Sequence, residues 1–128
     1  MTSTTVYSPT KSVLIVDDNP FFRVRMREML DEVEIVGSID EADGYNEAVR
    51  LLEEKKPNVV LLDIDMPGKN GICVLKLIRE SGLSCRVIMI SNRTEESYRI
   101  QCNELGADYF LDKSNDFLNV PDIVASFA

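Results

Sequence analysis

Three aspartates stand at the ends of two apolar runs, and together they could bind a cation. Asp17 and Asp18 follow the apolar residues 12–16, and Asp63 closes the run 59–63. Both runs are short, continuous and followed by polar or turn-forming residues, which predicts strands buried on both faces. Carboxylates that meet at one sheet edge repel one another, so such a site needs positive charge. The chain has no histidine, and oxygen ligands alone favour a hard metal ion, with Mg²⁺ as the first expectation.

Two further polar residues follow later apolar runs and add phosphoryl-binding chemistry. Ser91 comes after residues 86–90, and Lys113 comes shortly after residues 109–111. A serine hydroxyl can donate to a phosphoryl oxygen, and a lysine ammonium can neutralise its charge. Taken singly, each polar residue fits a helix cap, a turn or a solvated side chain. The complete set at successive strand ends instead indicates a site that can hold a phosphoryl group on a carboxylate nucleophile.

The elements that must position these residues alternate along the chain, which predicts an α/β fold. Strands are expected over residues 12–16, 34–39, 59–63, 86–90 and 109–111. Helix starts are expected at Asn19-Pro20, Asp43, Asn70, Asn92 or Thr94, and Pro121, and the last helix is expected to reach Phe127. Right-handed crossovers then give a doubly wound five-stranded parallel sheet with helices on both faces. The expected strand order is the flavodoxin-like 2-1-3-4-5, which makes the first and third strands neighbours at the switch point.

Composition predicts one acidic domain in a reducing compartment. Residues 1–11 are expected to be a disordered polar arm, and residues 12–128 the domain. The net charge of −8 argues against a nucleic-acid surface and suits a partner with a basic patch. No apolar run reaches membrane-spanning length. The cysteines Cys73, Cys85 and Cys102 lack CxxC spacing, which is typical of reduced thiols in a cytoplasmic protein.

The polar set resembles the receiver domain of bacterial response regulators over about residues 12–127. The matching motifs are Asp17-Asp18, Asp63-x-x-Met66-Pro67-x-x-x-Gly71, Ser91 and Lys113. The resemblance implies that Asp63 accepts a phosphoryl group from a histidine kinase or a histidine phosphotransfer protein. It also implies that Asp18, Asp63 and the main-chain carbonyl of Asp65 bind Mg²⁺, with Asp17 acting through water.

The same resemblance implies how a phosphoryl group would be read. Ser91 would move towards it, Phe110 would follow as an aromatic switch, and Lys113 would pair with its oxygens. The face made by the fourth helix, fifth strand and fifth helix would contact a downstream protein or a second copy in a homodimer. The chain would be a signalling phosphoacceptor that assists its own phosphorylation and dephosphorylation, and not an enzyme. Met1 and the short arm favour a stand-alone receiver of the chemotaxis-regulator type, or an N-terminal receiver, without nucleic-acid or membrane contacts of its own.

Several positions depart from the receiver pattern or tune it. Asn92 follows Ser91 where a small residue is usual, which predicts narrower access to the site. Ser114 follows Lys113 where proline is usual, and without proline a cis peptide bond costs about 2.5–4 kcal/mol. We therefore expect a trans bond there. Asp65 and Arg93 occupy positions that tune dephosphorylation in the family, and their side chains are expected to pair across the site mouth.

Three other interpretations fit part of the sequence. Asp63-Ile64-Asp65 resembles the nucleophile motif of haloacid-dehalogenase-type phosphatases, but that assignment leaves Asp17 and Asp18 without a role. A flavodoxin-like binding module shares the fold, but the chain lacks a Ser/Thr/Gly-rich phosphate loop after the first strand. A degenerate receiver would bind its partner without phosphorylation. The complete acidic set speaks against that interpretation, whereas Asn92 leaves it open.

Overall fold

The computed structural model describes residues 10–93 and 95–127, and its framework is a parallel sheet of five strands. The strands are β1 (Lys11–Val16), β2 (Val36–Ala42), β3 (Val59–Asp63), β4 (Arg86–Ser91) and β5 (Tyr109–Asp112). Every neighbouring pair is parallel, and the order is β2-β1-β3-β4-β5. The predicted flavodoxin-like order is confirmed.

Helices cover both faces of the sheet, as predicted. They are α1 (Pro20–Asp31), α2 (Tyr45–Lys55), α3 (Gly71–Glu80), α4 (Glu96–Glu104) and α5 (Val120–Ala125), with a 3₁₀ turn at Phe117–Asn119. One layer of the core contains buried residues of α1 and α5, and the other contains buried residues of α2, α3 and α4. The side-chain alternation of a strand explains the division, because successive residues point to opposite faces.

The central strand β3 is buried along its whole length, including its terminal aspartate. Val59 and Leu61 pack in the layer of α1 and α5, whereas Val60 and Leu62 pack in the layer of α2, α3 and α4. Burial of one such side chain contributes roughly 1.5–3 kcal/mol. A strand that is apolar on both faces therefore fixes the position of Asp63 at its end.

Element boundaries differ from the prediction mainly at the sheet edge and at helix starts. β2 lies at Val36–Ala42 and not over residues 34–39, because it is an edge strand whose mostly exposed or half-buried residues carry a weak apolar pattern. The N-cap of α2 is Gly44, so the expected Asp43 cap is wrong. The N-cap of α4 is Glu95, so the Asn92 cap is wrong too, and Thr94 lies outside the described residues.

The two ends of the chain also shift slightly. Lys11 belongs to β1 and not to the predicted arm, and residues 1–9 of that arm lie outside the described residues. The last helix ends at Ala125 and begins one residue before Pro121, with proline in its first turn. In the described part of the chain, no helix has the length and apolarity needed to cross a bilayer.

Candidate functional site

The three predicted aspartates converge at the carboxyl ends of β1 and β3. These strands are neighbours, and Val16 pairs with Leu62 immediately before the acidic residues begin. One carboxylate oxygen from each of Asp17, Asp18 and Asp63 lies within 4.8 Å of the others. Asp17 and Asp63 are buried, whereas Asp18 is exposed. The predicted acidic cluster is confirmed, and its oxygen-only donor set fits a hard divalent cation.

Lys113 reaches into this cluster from the loop after β5. Its Nζ lies 2.6 Å from Asp17 Oδ2 and 3.7 Å from Asp63 Oδ1. Its backbone N–H donates to the carbonyl of Ser91, which ties the loop to the end of β4. The ring of Phe22 lies against the ammonium, with 4.4 Å between Nζ and the ring centroid. The lysine is therefore held among two carboxylates and an aromatic face.

One ammonium does not balance the charge of the cluster. Burial, and after it the nearby Asp17 carboxylate, raise the pKa of Asp63 to about 7, although Lys113 acts in the opposite direction. Near neutral pH the buried carboxyl of Asp63 is thus part protonated when no other cation is present. A site in this state gains from any additional positive charge that reaches it.

The turn after β3 brings helix α3 unusually close to Asp63. A Cβ atom added to Gly71 would lie 2.0 Å from the Asp63 carbonyl oxygen, so only glycine fits there. The Gly71 N–H donates to the carbonyl of Ile64 at 3.0 Å. Asn70 caps α3 as predicted, because its side chain accepts from the N–H groups of Ile72 and Cys73. The glycine of the motif is thus needed for close approach of two backbones.

Ser91 and the loop after it lie beside the acidic cluster. Ser91 is fully buried, and its Oγ accepts a hydrogen bond of 2.9 Å from the Arg93 N–H. The Arg93 guanidinium forms an ion pair with Asp65, with 2.8 Å between Nε and Oδ1. The predicted pairing across the site mouth is confirmed. Both side chains are about half exposed, so solvent screens the pair and it adds little to stability.

The loop after β5 closes in a way that depends on Ser114 not being proline. Among the described residues no peptide bond is cis, which confirms the expected trans Lys113-Ser114 bond. The backbone N–H of Ser114 donates to Asp112 Oδ1 at 2.8 Å, a bond that proline could not make. The Ser114 hydroxyl also contacts Asn92 Oδ1 at 3.4 Å, so the two loops that flank the site touch.

Phe110 lies on β5 and is half-buried against the layer of α2, α3 and α4. The guanidinium of Arg99 on α4 stacks over its ring at 4.7 Å, and Arg99 Nη1 donates to the Phe110 carbonyl at 3.3 Å. The predicted switch residue therefore joins β5 to α4. Ser91 and Phe110 lie on neighbouring strands, because Ser91 pairs with Asp112, two residues after Phe110, in the β4–β5 ladder.

Three residues near the acidic cluster were not identified from the sequence. None of Phe22, Arg23 and Glu41 was singled out as a site residue. Arg23 Nη1 donates to the carbonyl of Asp17 at 2.6 Å, and its Nε pairs with Glu41 Oε1 at 3.0 Å. The only sequence signal is that Arg23 lies one helical turn after the Asn19 cap, which turns it back towards the strand end.

A family model described as the response regulator receiver domain matches residues 13–125. The DNA-binding transcriptional activator EvgA of Escherichia coli strain K12 is 32% identical over 111 residues, which are 85% of this chain and 53% of EvgA. Protein CcdB of Bacillus subtilis strain 168 is 35% identical over 113 residues, which are 88% of this chain and 93% of CcdB. The chain thus spans about half the length of the first relative and nearly all of the second.

Solved structures agree with the sequence matches. The signal receiver domain of the response regulator NarL from Mycobacterium tuberculosis superposes with a TM-score of 0.82 and 30% identity, covering 94% of this chain and 100% of that one. The response regulator domain of Thermotoga maritima CheB superposes with a TM-score of 0.80 and 34% identity, covering 92% of each chain. These matches favour the receiver over the phosphatase and flavin-binding interpretations.

Proposed function

This chain belongs to the family of response regulator receiver domains, and from that premise we propose that Asp63 is its phosphoacceptor. Receiver domains are signalling domains, and the phosphoryl donor would be a histidine kinase or a histidine phosphotransfer protein. The observation that carries the proposal is the cluster of Asp17, Asp18 and Asp63 within 4.8 Å, bridged by Lys113. A buried nucleophile beside a fixed ammonium is the arrangement that phosphoryl transfer requires.

The residues present fit Mg²⁺ as the cofactor. Asp18, the Asp63 carboxylate and the main-chain carbonyl of Asp65 would hold the ion, and Asp17 would act through water. When bound, Mg²⁺ would neutralise charge on the phosphoryl oxygens and on the carboxylates. The raised pKa of Asp63 supports this assignment, because burial and the Asp17 carboxylate both disfavour the charged form of Asp63, and a bound cation would offset both effects.

The chain's own groups would carry out the transfer as follows. A carboxylate oxygen of Asp63 forms a bond to phosphorus, while the bond between phosphorus and the donor imidazole nitrogen breaks and its electron pair returns to that nitrogen. Lys113 Nζ, already 3.7 Å from Asp63 Oδ1, pairs with a phosphoryl oxygen. The burial of Asp63 keeps bulk water away from the acyl phosphate.

Ser91 and Phe110 would convert phosphorylation into a change of the binding face. The Ser91 Oγ accepts from the Arg93 N–H, and the hydroxyl would donate its own proton to a phosphoryl oxygen. Movement of Ser91 would leave room for Phe110, whose ring and carbonyl contact Arg99 of α4. The surface of α4, β5 and α5 would then bind a downstream protein or a second copy of the chain.

Intact-mass spectrometry after incubation with Mg²⁺ and acetyl phosphate tests the phosphoacceptor directly. We expect one phosphoryl adduct on the wild type and none on Asp63→Asn. Asp31→Asn is the matched control, because it changes an exposed aspartate at the last residue of α1, three helical turns from the Asn19 end of the helix, and should still form the adduct. A wild type that forms no adduct and does not bind beryllofluoride would establish the degenerate, phosphorylation-independent receiver instead.

A further inference from the structure

Arg23 connects the acidic cluster to the neighbouring edge of the sheet. It lies on α1, and its side chain is 18% exposed. Its Nη1 donates to the carbonyl oxygen of Asp17 at 2.6 Å, and its Nε donates to Glu41 Oε1 at 3.0 Å. The Asp17 carbonyl belongs to the peptide plane that leads into Asp18. A fixed carbonyl therefore fixes the direction in which Asp18 leaves the strand.

Glu41 holds Arg23 in this position and offsets its charge. Its second oxygen accepts from Arg27 Nε at 2.6 Å, and Arg27 Nη2 donates to the Ile39 carbonyl at 2.9 Å. Burial acts to raise the pKa of Glu41, but the hydrogen bonds from Arg27 and Arg23 lower it overall, so the carboxylate stays ionised. We call the contacts of Arg23 with the Asp17 carbonyl and with Glu41 the clamp. Because Glu41 is ionised, it offsets the positive charge of Arg23, which can therefore lie next to a cation site.

Asp17 and Asp18 differ in how they are held. Asp17 donates its N–H to the Ala42 carbonyl at 3.0 Å, and its side chain contacts Lys113 and the Asn19 N–H. Within the described residues, the Asp18 carboxylate makes no hydrogen bond or ion pair, and the residue is exposed. The direction of the backbone is then the main determinant of where the Asp18 carboxylate lies.

We propose that Arg23 is a positioning residue for divalent-cation binding, which acts by orienting the peptide between Asp17 and Asp18. This inference rests on the proposed Mg²⁺ site. Coulomb's law alone predicts that removing the positive charge of Arg23 strengthens Mg²⁺ binding. A positioning role says the opposite, since loss of the clamp disorders a ligand. Residues that orient metal ligands typically change metal affinity by about 10–100-fold.

The test is a titration with MgCl₂ at constant ionic strength, followed by amide chemical shifts in two-dimensional NMR spectra. We expect Arg23→Ala to weaken Mg²⁺ binding by about tenfold or more. Arg23→Lys keeps the positive charge but cannot donate to both partners at once, so we expect it to weaken binding to a lesser degree. Arg25→Ala is the matched control, because it removes an arginine of the same helix that stacks on Phe117 and, within the described residues, forms no hydrogen bond or ion pair with Asp17 or Glu41.

The possible outcomes separate this inference from the proposed function. Unchanged or tighter binding in Arg23→Ala and Arg23→Lys, with a wild type that binds Mg²⁺, would overturn the positioning role and leave the metal site intact. Equal weakening in Arg23→Ala and Arg25→Ala would also overturn it, because the effect would then not depend on the clamp. A wild type that does not bind Mg²⁺ would overturn both the proposed cofactor and this role. Melting temperatures without Mg²⁺ identify any variant that is merely unfolded.

Discussion

Replacement of Asp63 by asparagine should stabilise the metal-free protein at neutral and alkaline pH. Asp63 is buried beside the Asp17 carboxylate, and its pKa rises from an ordinary 3.8 to about 7. Between these two values the native state binds more protons than the unfolded state, so stability falls as the pH rises through this window. The penalty is complete above pH 7 and absent below pH 4. Asparagine carries no charge and removes it.

The size of the effect follows from the same pKa change. Each pH unit between the unfolded and folded pKa values corresponds to ~1.4 kcal/mol, so the full window corresponds to roughly 4 kcal/mol at pH 8. The attraction of Lys113, whose Nζ lies 3.7 Å from Asp63 Oδ1, already opposes this rise in pKa and is therefore included in the figure. For a domain of 128 residues, about 3 °C of melting temperature per kcal/mol gives a gain of up to about 12 °C.

Thermal unfolding followed by circular dichroism between pH 4 and pH 8, with a chelator present, measures this effect. The informative quantity is the difference in melting temperature between Asp63→Asn and wild type, because other titrating groups cancel in it. We expect the difference to be near zero at pH 4 and to reach its maximum above pH 7. Asp43→Asn is the matched control, since Asp43 is exposed just beyond β2 and should show no such trend.

Mg²⁺ should offset the same excess of negative charge and reduce the difference in stability between Asp63→Asn and wild type. An ion that binds the native state raises its stability by mass action, and the wild type offers one more carboxylate than the variant. The gap at pH 8 should therefore narrow as MgCl₂ is added. A variant that is no more stable than wild type at pH 8 without metal would refute the view that Asp63 is held at an electrostatic disadvantage.

Three further changes test the surroundings of the site. Gly71→Ala places a Cβ 2.0 Å from the Asp63 carbonyl oxygen, so we expect a loss of at least about 1–3 kcal/mol in thermal unfolding and less acetyl phosphate labelling. Unchanged labelling would contradict the close approach. Ser114→Pro removes the N–H that donates to Asp112 and should cost about 1 kcal/mol, whereas Ser114→Ala, which keeps the N–H, should cost less. Arg93→Ala breaks the pair with Asp65. It should change the lifetime of the phosphorylated protein and leave the melting temperature nearly unchanged, and equal decay rates would exclude a tuning role.

The sequence predicted the parts of the structure that depend on strong local patterns. The run Val59–Asp63 is apolar on both faces, so its place at the centre of the sheet and the position of its aspartate follow from burial. Edge strand β2 has no such run, and its true position depends on hydrogen bonds to β1. Its predicted range was therefore wrong at both ends. The cap of α2 was misplaced because Gly44 needs no side chain to begin a helix.

The site residues at strand ends were predicted from the sequence, whereas the residues that contact them from other elements were missed. Residues at strand ends could be assigned because parallel strands bring their carboxyl ends to one edge. Three other side chains lie near the cluster although their residues were not assigned to strand ends: Arg23, Glu41 and Phe22. Apart from the one-turn spacing between Asn19 and Arg23, no sequence spacing predicts these contacts. The pairing of Asp65 with Arg93 could be anticipated only because both flank strand-end residues already assigned to the site.

The acidic cluster and the apolar strands that carry it make opposing contributions to the free energy of folding. Asp17 and Asp63 are buried at 0% and 3% exposure with a single ammonium between them, which destabilises the fold. The strands that carry them are among the most deeply buried segments, and each fully buried aliphatic side chain contributes about 1.5–3 kcal/mol in the other direction. The core can therefore hold a cluster that would not assemble by itself. The folded state keeps this excess of negative charge. A group that adds positive charge to the cluster, or that turns a carboxylate into a better-neutralised group, therefore relieves the repulsion, and this relief adds to its binding free energy.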